Sequence, residues 1–128
     1  MHVVMVHWRI KPNDESIQAF LKHWREINTI NVRDGLVAEF LSESLSPKDF
    51  PDTTWHLDSD SLGDFKSYVN VAFWRDERDF HEQVAHLYND KAEMKSFEKY
   101  RRRRVVAESS DWRIGKFPLP EGDSPGVL

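Results

Sequence analysis

The stretch from 68 to 86, YVNVAFWRDERDFHEQVAH, constrains the chain more than any other. Its first half alternates. Val69, Val71 and Phe73 fall on one side and Tyr68, Asn70, Ala72 and Trp74 on the other, as consecutive strand side chains must. At Arg75-Asp76 the period changes: Asp76, Glu77 and Asp79 gather where the positive end of a helix favours carboxylates. Phe80, Val84 and Leu87 then recur at helical spacing, so a strand runs straight into a helix with Trp74 at the junction. The wholly apolar side, Val69/Val71/Phe73, is the one expected beneath a helix layer. The other carries Asn70 and Trp74, whose polar atoms need partners if buried, because an unpaired buried polar group costs about 1–3 kcal/mol. That side reads either as a solvated surface or as the wall of a mixed cavity.

The flanking segments extend the pattern. Residues 2–10 alternate Val4/Val6/Trp8/Ile10 against Val3/Met5/His7/Arg9, a half-buried strand. Lys11-Pro12 breaks it, and Asn13 followed by Asp14 and Glu15 reads as an N-cap and an acidic first turn. Ile17, Phe20, Leu21, Trp24 and Ile27 make one helical stripe, with the helix ending between 28 and 32. Arg33-Asp34-Gly35 signals a turn into a second strand at 36–45. Residues 46–67, with two prolines, a glycine and scattered aromatics, read as a long loop or arm. Residues 92–107 read as a further helix carrying Met94, Phe97, Tyr100 and Val105, and 112–117 as a short last strand. Residues 1–117 then form one domain, and the Pro- and Gly-rich 118–128 a mobile tail.

A chain of 128 residues is one domain, and its 39% hydrophobic content supports a folded core over disorder. With no cysteine, disulfides, thiolate metal sites and cysteine nucleophiles are excluded together. A net charge of −4 argues against nucleic acid as the main partner, because phosphates reward a basic face. No apolar run approaches the roughly 20 residues of a membrane span, and the opening MHVVMVHWRI lacks the charged region and cleavage site of a signal peptide. The expectation is a soluble, cytoplasmic protein.

The order β-α-β, long loop, β-α(α)-β is a split β-α-β pattern of the α+β class: a ferredoxin-like sandwich of one four-stranded antiparallel sheet with helices on one face. The uncovered face is expected to hold Val3, Met5, Val37, Leu41, Tyr68 and Trp74 among His7, Arg9, Glu39 and Asn70. A large apolar-rich face is poorly suited to water. Closure against a second copy, as a dimeric α+β barrel, covers it.

The order of elements, the GLVAEFLSESLSP strand and the YVNVAFWRDERDF junction resemble the antibiotic biosynthesis monooxygenase (ABM) domain family of dimeric α+β barrels, over roughly residues 3–117. The resemblance implies a homodimer acting on a small molecule, without metal or other cofactor. One branch oxygenates polycyclic aromatic substrates and lines its cavity with Asn-x-x-x-Trp on the third strand, a spacing that Asn70 and Trp74 match. Asn70 would then hydrogen-bond a substrate oxygen, with Trp74 and Tyr68 as the apolar wall. A tyrosine of that branch corresponds here to Phe80, which lacks the hydroxyl, and an arginine expected further along is met either by Arg101 or by no residue of this chain. A haem-degrading branch uses an Asn, a Trp and a His. Their counterparts here are His7, about Gln83, and His86, an incomplete set.

His7 and Arg9 are assigned to the same face as Asn70, with His7 as a candidate base for an acidic phenol and Arg9 beside it. His7 bonded across a dimer sheet is the structural alternative. His81 and His86 flank Glu82 at i and i+5, about 140° apart on a helix, which is not the one-face spacing of a zinc HExxH site. Asp58-Ser59-Asp60 starts like a calcium loop, but Leu62 and Val69 stand where oxygens belong. Arg101–Arg104, read on a helix, spread around its circumference, although one of them remains a candidate contact for an anionic ligand.

Overall fold

A computed structural model describes residues 1–30, 35–45, 49–50, 52, 64–83 and 92–118, with the side chains of 27–30 and 82–83 left aside. Strand β1 (His2–Ile10) ends where Lys11-Pro12 interrupts it, and helix α1 (Asp14–Ile30) begins as expected. Asn13 Oδ1 accepts the Ser16 N–H at 2.8 Å, satisfying one of the donors that a helix start leaves open. Strands β2 (Leu36–Glu43) and β3 (Lys66–Trp74) follow. Helix α2 (Glu77–Gln83) starts at the cap made by Asp76 Oδ1 on the Asp79 N–H, 2.9 Å. Helix α3 (Ala92–Phe97) then runs directly into β4 (Glu98–Glu108).

The four strands form one sheet in the order β2-β3-β1-β4, with every neighbouring pair antiparallel. That order, with α1 between β1 and β2 and α2/α3 between β3 and β4, is the ferredoxin-like split β-α-β arrangement. Phe20 of α1, fully buried, packs on Trp8, Tyr68 and Phe97 with ring centroids 5.0, 5.1 and 5.7 Å away. Val4, Val6 and Ile10 of β1 join this core, with Ile17 and Leu21 packed at its edge.

The register reverses the expected faces. Rows across the sheet place Leu36, Trp74, His2 and Glu108 together, then Glu39, Ala72, Val4 and Val106, then Leu41, Asn70, Val6 and Arg104. These rows meet the helices. The side carrying Asn70 and Trp74 is therefore the buried one, and Val69/Val71/Phe73 line the other side, half-buried. The physical reason is that the aromatics Tyr68 and Trp74 offer more apolar surface than the valines, and Asn70 finds hydrogen-bond partners under the helices. A register irregularity between Leu36 and Ala38 turns Leu36 to the same side as Glu39 and Leu41. Leu41, Tyr68, Trp74, Glu39 and Asn70 thus leave the face on which the sequence reading put them.

Residues 92–107 are not one helix. Only 92–97 is helical, burying Met94 and Phe97, and 98–108 pairs with β1 as the fourth strand. Residues 112–117 form no strand. Long-range pairing overrides the helical spacing of Met94, Phe97 and Tyr100, and Val105-Val106 suit a pleated edge. In the strand, Arg102 turns inward: its side chain is fully buried, 2.7 Å from Glu98 Oε1 and stacked over the Trp8 ring. Most of the 46–67 loop and residues 119–128 lie outside the described residues. No helix among the described residues is long and apolar enough to cross a membrane.

Candidate functional site

Asn70 sits at the centre of β3, opposite Val6, and is 2% exposed. Both ends of its amide are engaged: Oδ1 accepts the Trp24 indole N–H at 2.8 Å, and Nδ2 donates to Glu39 Oε1 at 3.2 Å. Three elements thus converge on one amide. Helix α1 supplies the donor, β2 the carboxylate and β3 the amide itself. The Nδ2 of a fixed primary amide of this kind can donate a hydrogen bond to a substrate oxygen that takes the place of Glu39.

Trp74 lies on the same side, roughly 13 Å further along the strand at about 3.3 Å per residue. Its ring packs on Phe80 at 6.1 Å, and its buried indole nitrogen has no hydrogen-bond partner among the described residues. The junction is held rigid around it. Arg75 N–H donates to the Gly35 carbonyl at 2.7 Å, and Arg75 Nη2 lies 2.8 Å from Asp79 Oδ2. Gly35, at φ +85°, allows this closeness, because a Cβ there would run into the Asp79 carboxyl. The Asp79 backbone N–H, with Arg75 and Arg78 nearby, holds the Asp76 carboxyl below the usual carboxylate range.

Tyr68 is buried against Phe20, and its phenol is pushed up by burial and by the Glu43 charge, which keeps it neutral. Phe80 packs on Trp74 and on His2, the latter at 5.5 Å. These two therefore stand with Asn70 and Trp74 on the helix side. His86 lies outside the described residues.

His7, Arg9 and Arg101 are not brought to Asn70. His7 pairs with Val69, on the opposite side of the sheet, because strand side chains alternate and Val6 takes the helix side. There His7 Nε2 is 2.7 Å from Ser67 Oγ, which is 2.8 Å from Ser44 Oγ, and Phe65 packs edge-on at 6.2 Å. Arg9 stacks over Tyr100 and donates from Nη2 to the Arg101 carbonyl at 2.5 Å. Arg101 is exposed on β4, two strands from Asn70 in the sheet order. Tyr100 in turn donates its hydroxyl to Asp64 Oδ2 at 2.6 Å, which lowers the Asp64 carboxyl and raises the phenol.

The sequence reading missed three participants: Trp24, Glu39 and His2. Trp24 stands in the sequence pattern as part of a helical stripe, and Glu39 as part of the uncovered sheet face. His2 stands in the sequence pattern only as the first residue of a strand. It is 5% exposed and directly opposite Trp74. Its Nδ1 lies 3.1 Å from Glu108 Oε2, and this imidazole, aided by the α-amino group of Met1, holds the Glu108 carboxyl below the usual range. Its buried Nε2 has no hydrogen-bond partner among the described residues. The readable signal was spacing: His2 shares the parity of Val4 and Val6. Among the described residues, no three His, Asp or Glu side chains come together as metal ligands.

No protein-family model matches the chain, and no curated protein sequence matches it. Among solved structures, it is similar to SnoaB, a cofactor-independent oxygenase from Streptomyces nogalater. The TM-score is 0.49 and the identity 16%, over 87% of this chain and 95% of that one. A mutant of the same oxygenase aligns with TM-score 0.47 and 15% identity over the same shares.

Proposed function

We propose that this protein is a cofactor-independent oxygenase for a small planar phenol or enolisable ring compound. The observation that carries the reading is the Asn70 amide, buried on the helix side of the sheet between Trp24 and Glu39, with Trp74 on the same side. The Asn-x-x-x-Trp resemblance to ABM domains supports it. In this reading the substrate oxygen takes the place of Glu39 as acceptor from Asn70 Nδ2, and that N–H stabilises the negative charge that forms when the substrate loses a proton. The anion itself supplies the electrons: an anthrone enolate adds O2 at carbon to give a hydroperoxide, which loses water. The balance is anthrone plus O2 to anthraquinone plus water. Trp74, Tyr68 and Phe80 form the apolar wall.

His7 plays no part in this scheme, because it lies across the sheet. A second reading is favoured by Phe80, which lacks a hydroxyl, and by the engagement of both ends of the Asn70 amide within the protein. In it the same site binds such a ring without turnover. An oxygen electrode with anthrone decides between them. Uptake that falls at least tenfold in Asn70→Ala supports the oxygenase. Thermal stabilisation by anthrone with no uptake supports the binder.

The open side of the sheet carries a continuous apolar row, Phe40, Val71, Met5 and Val105, one residue from each strand. Phe40 is 40%, Met5 38% and Val105 60% exposed. A second copy of the chain covering this row, as a homodimer, is part of the proposal.

A further inference from the structure

The row Leu36–Trp74–His2–Glu108 runs across all four strands on the helix side of the sheet. It joins an apolar end to a carboxylate–imidazole pair. Glu108, on the β4 edge, meets His2 through Nδ1 at 3.1 Å. The two ring nitrogens of an imidazole point in diverging directions, so Nε2 faces away from Glu108. Trp74 lies across from His2 on β3, and the Phe80 ring packs at a tilt 5.5 Å from the imidazole. Nε2 is buried and finds no hydrogen-bond partner among the described residues. A buried imidazole with one nitrogen anchored on a carboxylate and the other unengaged is the arrangement a general base requires, since the carboxylate balances the charge the ring acquires.

We propose that His2 Nε2 is the base that takes the substrate's proton, with Glu108 as the positioning residue that fixes its ring. The inference rests on the oxygenase reading and supplies the base that His7, across the sheet, does not. The step is a proton transfer alone. The C–H bond of anthrone breaks, its proton goes to Nε2, and the electron pair stays on the substrate as the enolate. No oxidant takes part until O2 arrives.

The transfer is read without oxygen. Under nitrogen, the wild-type protein is mixed with anthrone and the enolate absorbance is recorded. Binding of 9,10-anthraquinone, which has no proton to give, is measured separately. The expected result is enolate with the wild-type protein, at least tenfold less with His2→Gln, and several-fold less with Glu108→Gln, with anthraquinone Kd unchanged in both. A merely structural role for Glu108 would move that Kd as well. Glu108 is two-thirds exposed, so its substitution leaves the core intact if His2→Gln does not fold. Enolate formed equally by both variants and wild type, or none in the wild type, overturns the proposal. Admitting air separates the two readings. Enolate that consumes no oxygen removes the oxygenase and leaves His2 as a base. Oxygen uptake unchanged in His2→Gln removes His2 and leaves the oxygenase.

Discussion

Trp24 on α1 donates its indole N–H to Asn70 Oδ1 on β3 at 2.8 Å, so a polar contact ties the helix to the sheet beneath it. Trp24→Phe keeps the ring and removes the donor. Asn70 Oδ1 is then buried without that partner, which costs about 1–3 kcal/mol. Urea unfolding of the variant is expected to show a lower midpoint with an unchanged slope, the mark of lost stability in an intact fold.

The buried pair of Arg102 and Glu98 gives a larger effect. The Arg102 side chain is fully buried and that of Glu98 nearly so. Arg102→Ala leaves a buried carboxylate uncompensated and is expected to cost roughly 3–5 kcal/mol. The double variant Arg102→Met/Glu98→Leu, which removes both charges while keeping volume, is expected to recover most of the loss. Thermal melts of the two proteins check the ordering.

Much of the sheet was legible because its signals are local. The alternation of 68–74, the Pro12 break, the Asn13 cap and the carboxylates of 76–79 each specify a boundary within a few residues, and the structure has them. What escaped the reading depends on distant partners. Residues 98–108 become a strand only because β1 offers an edge, and the arginines there give no strand signal of their own. The face assignment failed for a related reason. By hydropathy alone the Val69/Val71/Phe73 side looks like the core, and only the Trp24 and Glu39 contacts make burial of Asn70 affordable. With Asn70 on the helix side, alternation along β1 puts His7 and Arg9 on the far side of the sheet and His2 on the near side.

Acid should loosen the start of α2 through Asp76. Its carboxyl is held below the usual range by the Asp79 backbone N–H, so the charged form is the one that stabilises the fold. That contribution is fully present above the unfolded carboxylate pKa of about 4 and is lost as pH falls through the depressed folded value. Asp76→Asn keeps the acceptor and removes the titration. Its thermal stability is expected to fall less than that of the wild type between pH 5 and pH 3, read from thermal melts taken across that range.

Sedimentation tests the open face. The row of Phe40, Val71, Met5 and Val105 predicts a dimer at micromolar concentration, and Phe40→Asp with Met5→Lys is expected to give a monomer that keeps its far-ultraviolet dichroism. A wild-type protein that sediments as a monomer sets the homodimer aside without touching the helix-side site.

The account depends most on where a ring ligand sits. Nuclear Overhauser contacts between bound 9,10-anthraquinone and the protein measure this directly. The account predicts contacts to the indoles of Trp24 and Trp74 and to the Asn70 amide, which all lie on the helix side. Contacts instead to Phe40, Met5 or His7, on the open side, would contradict it.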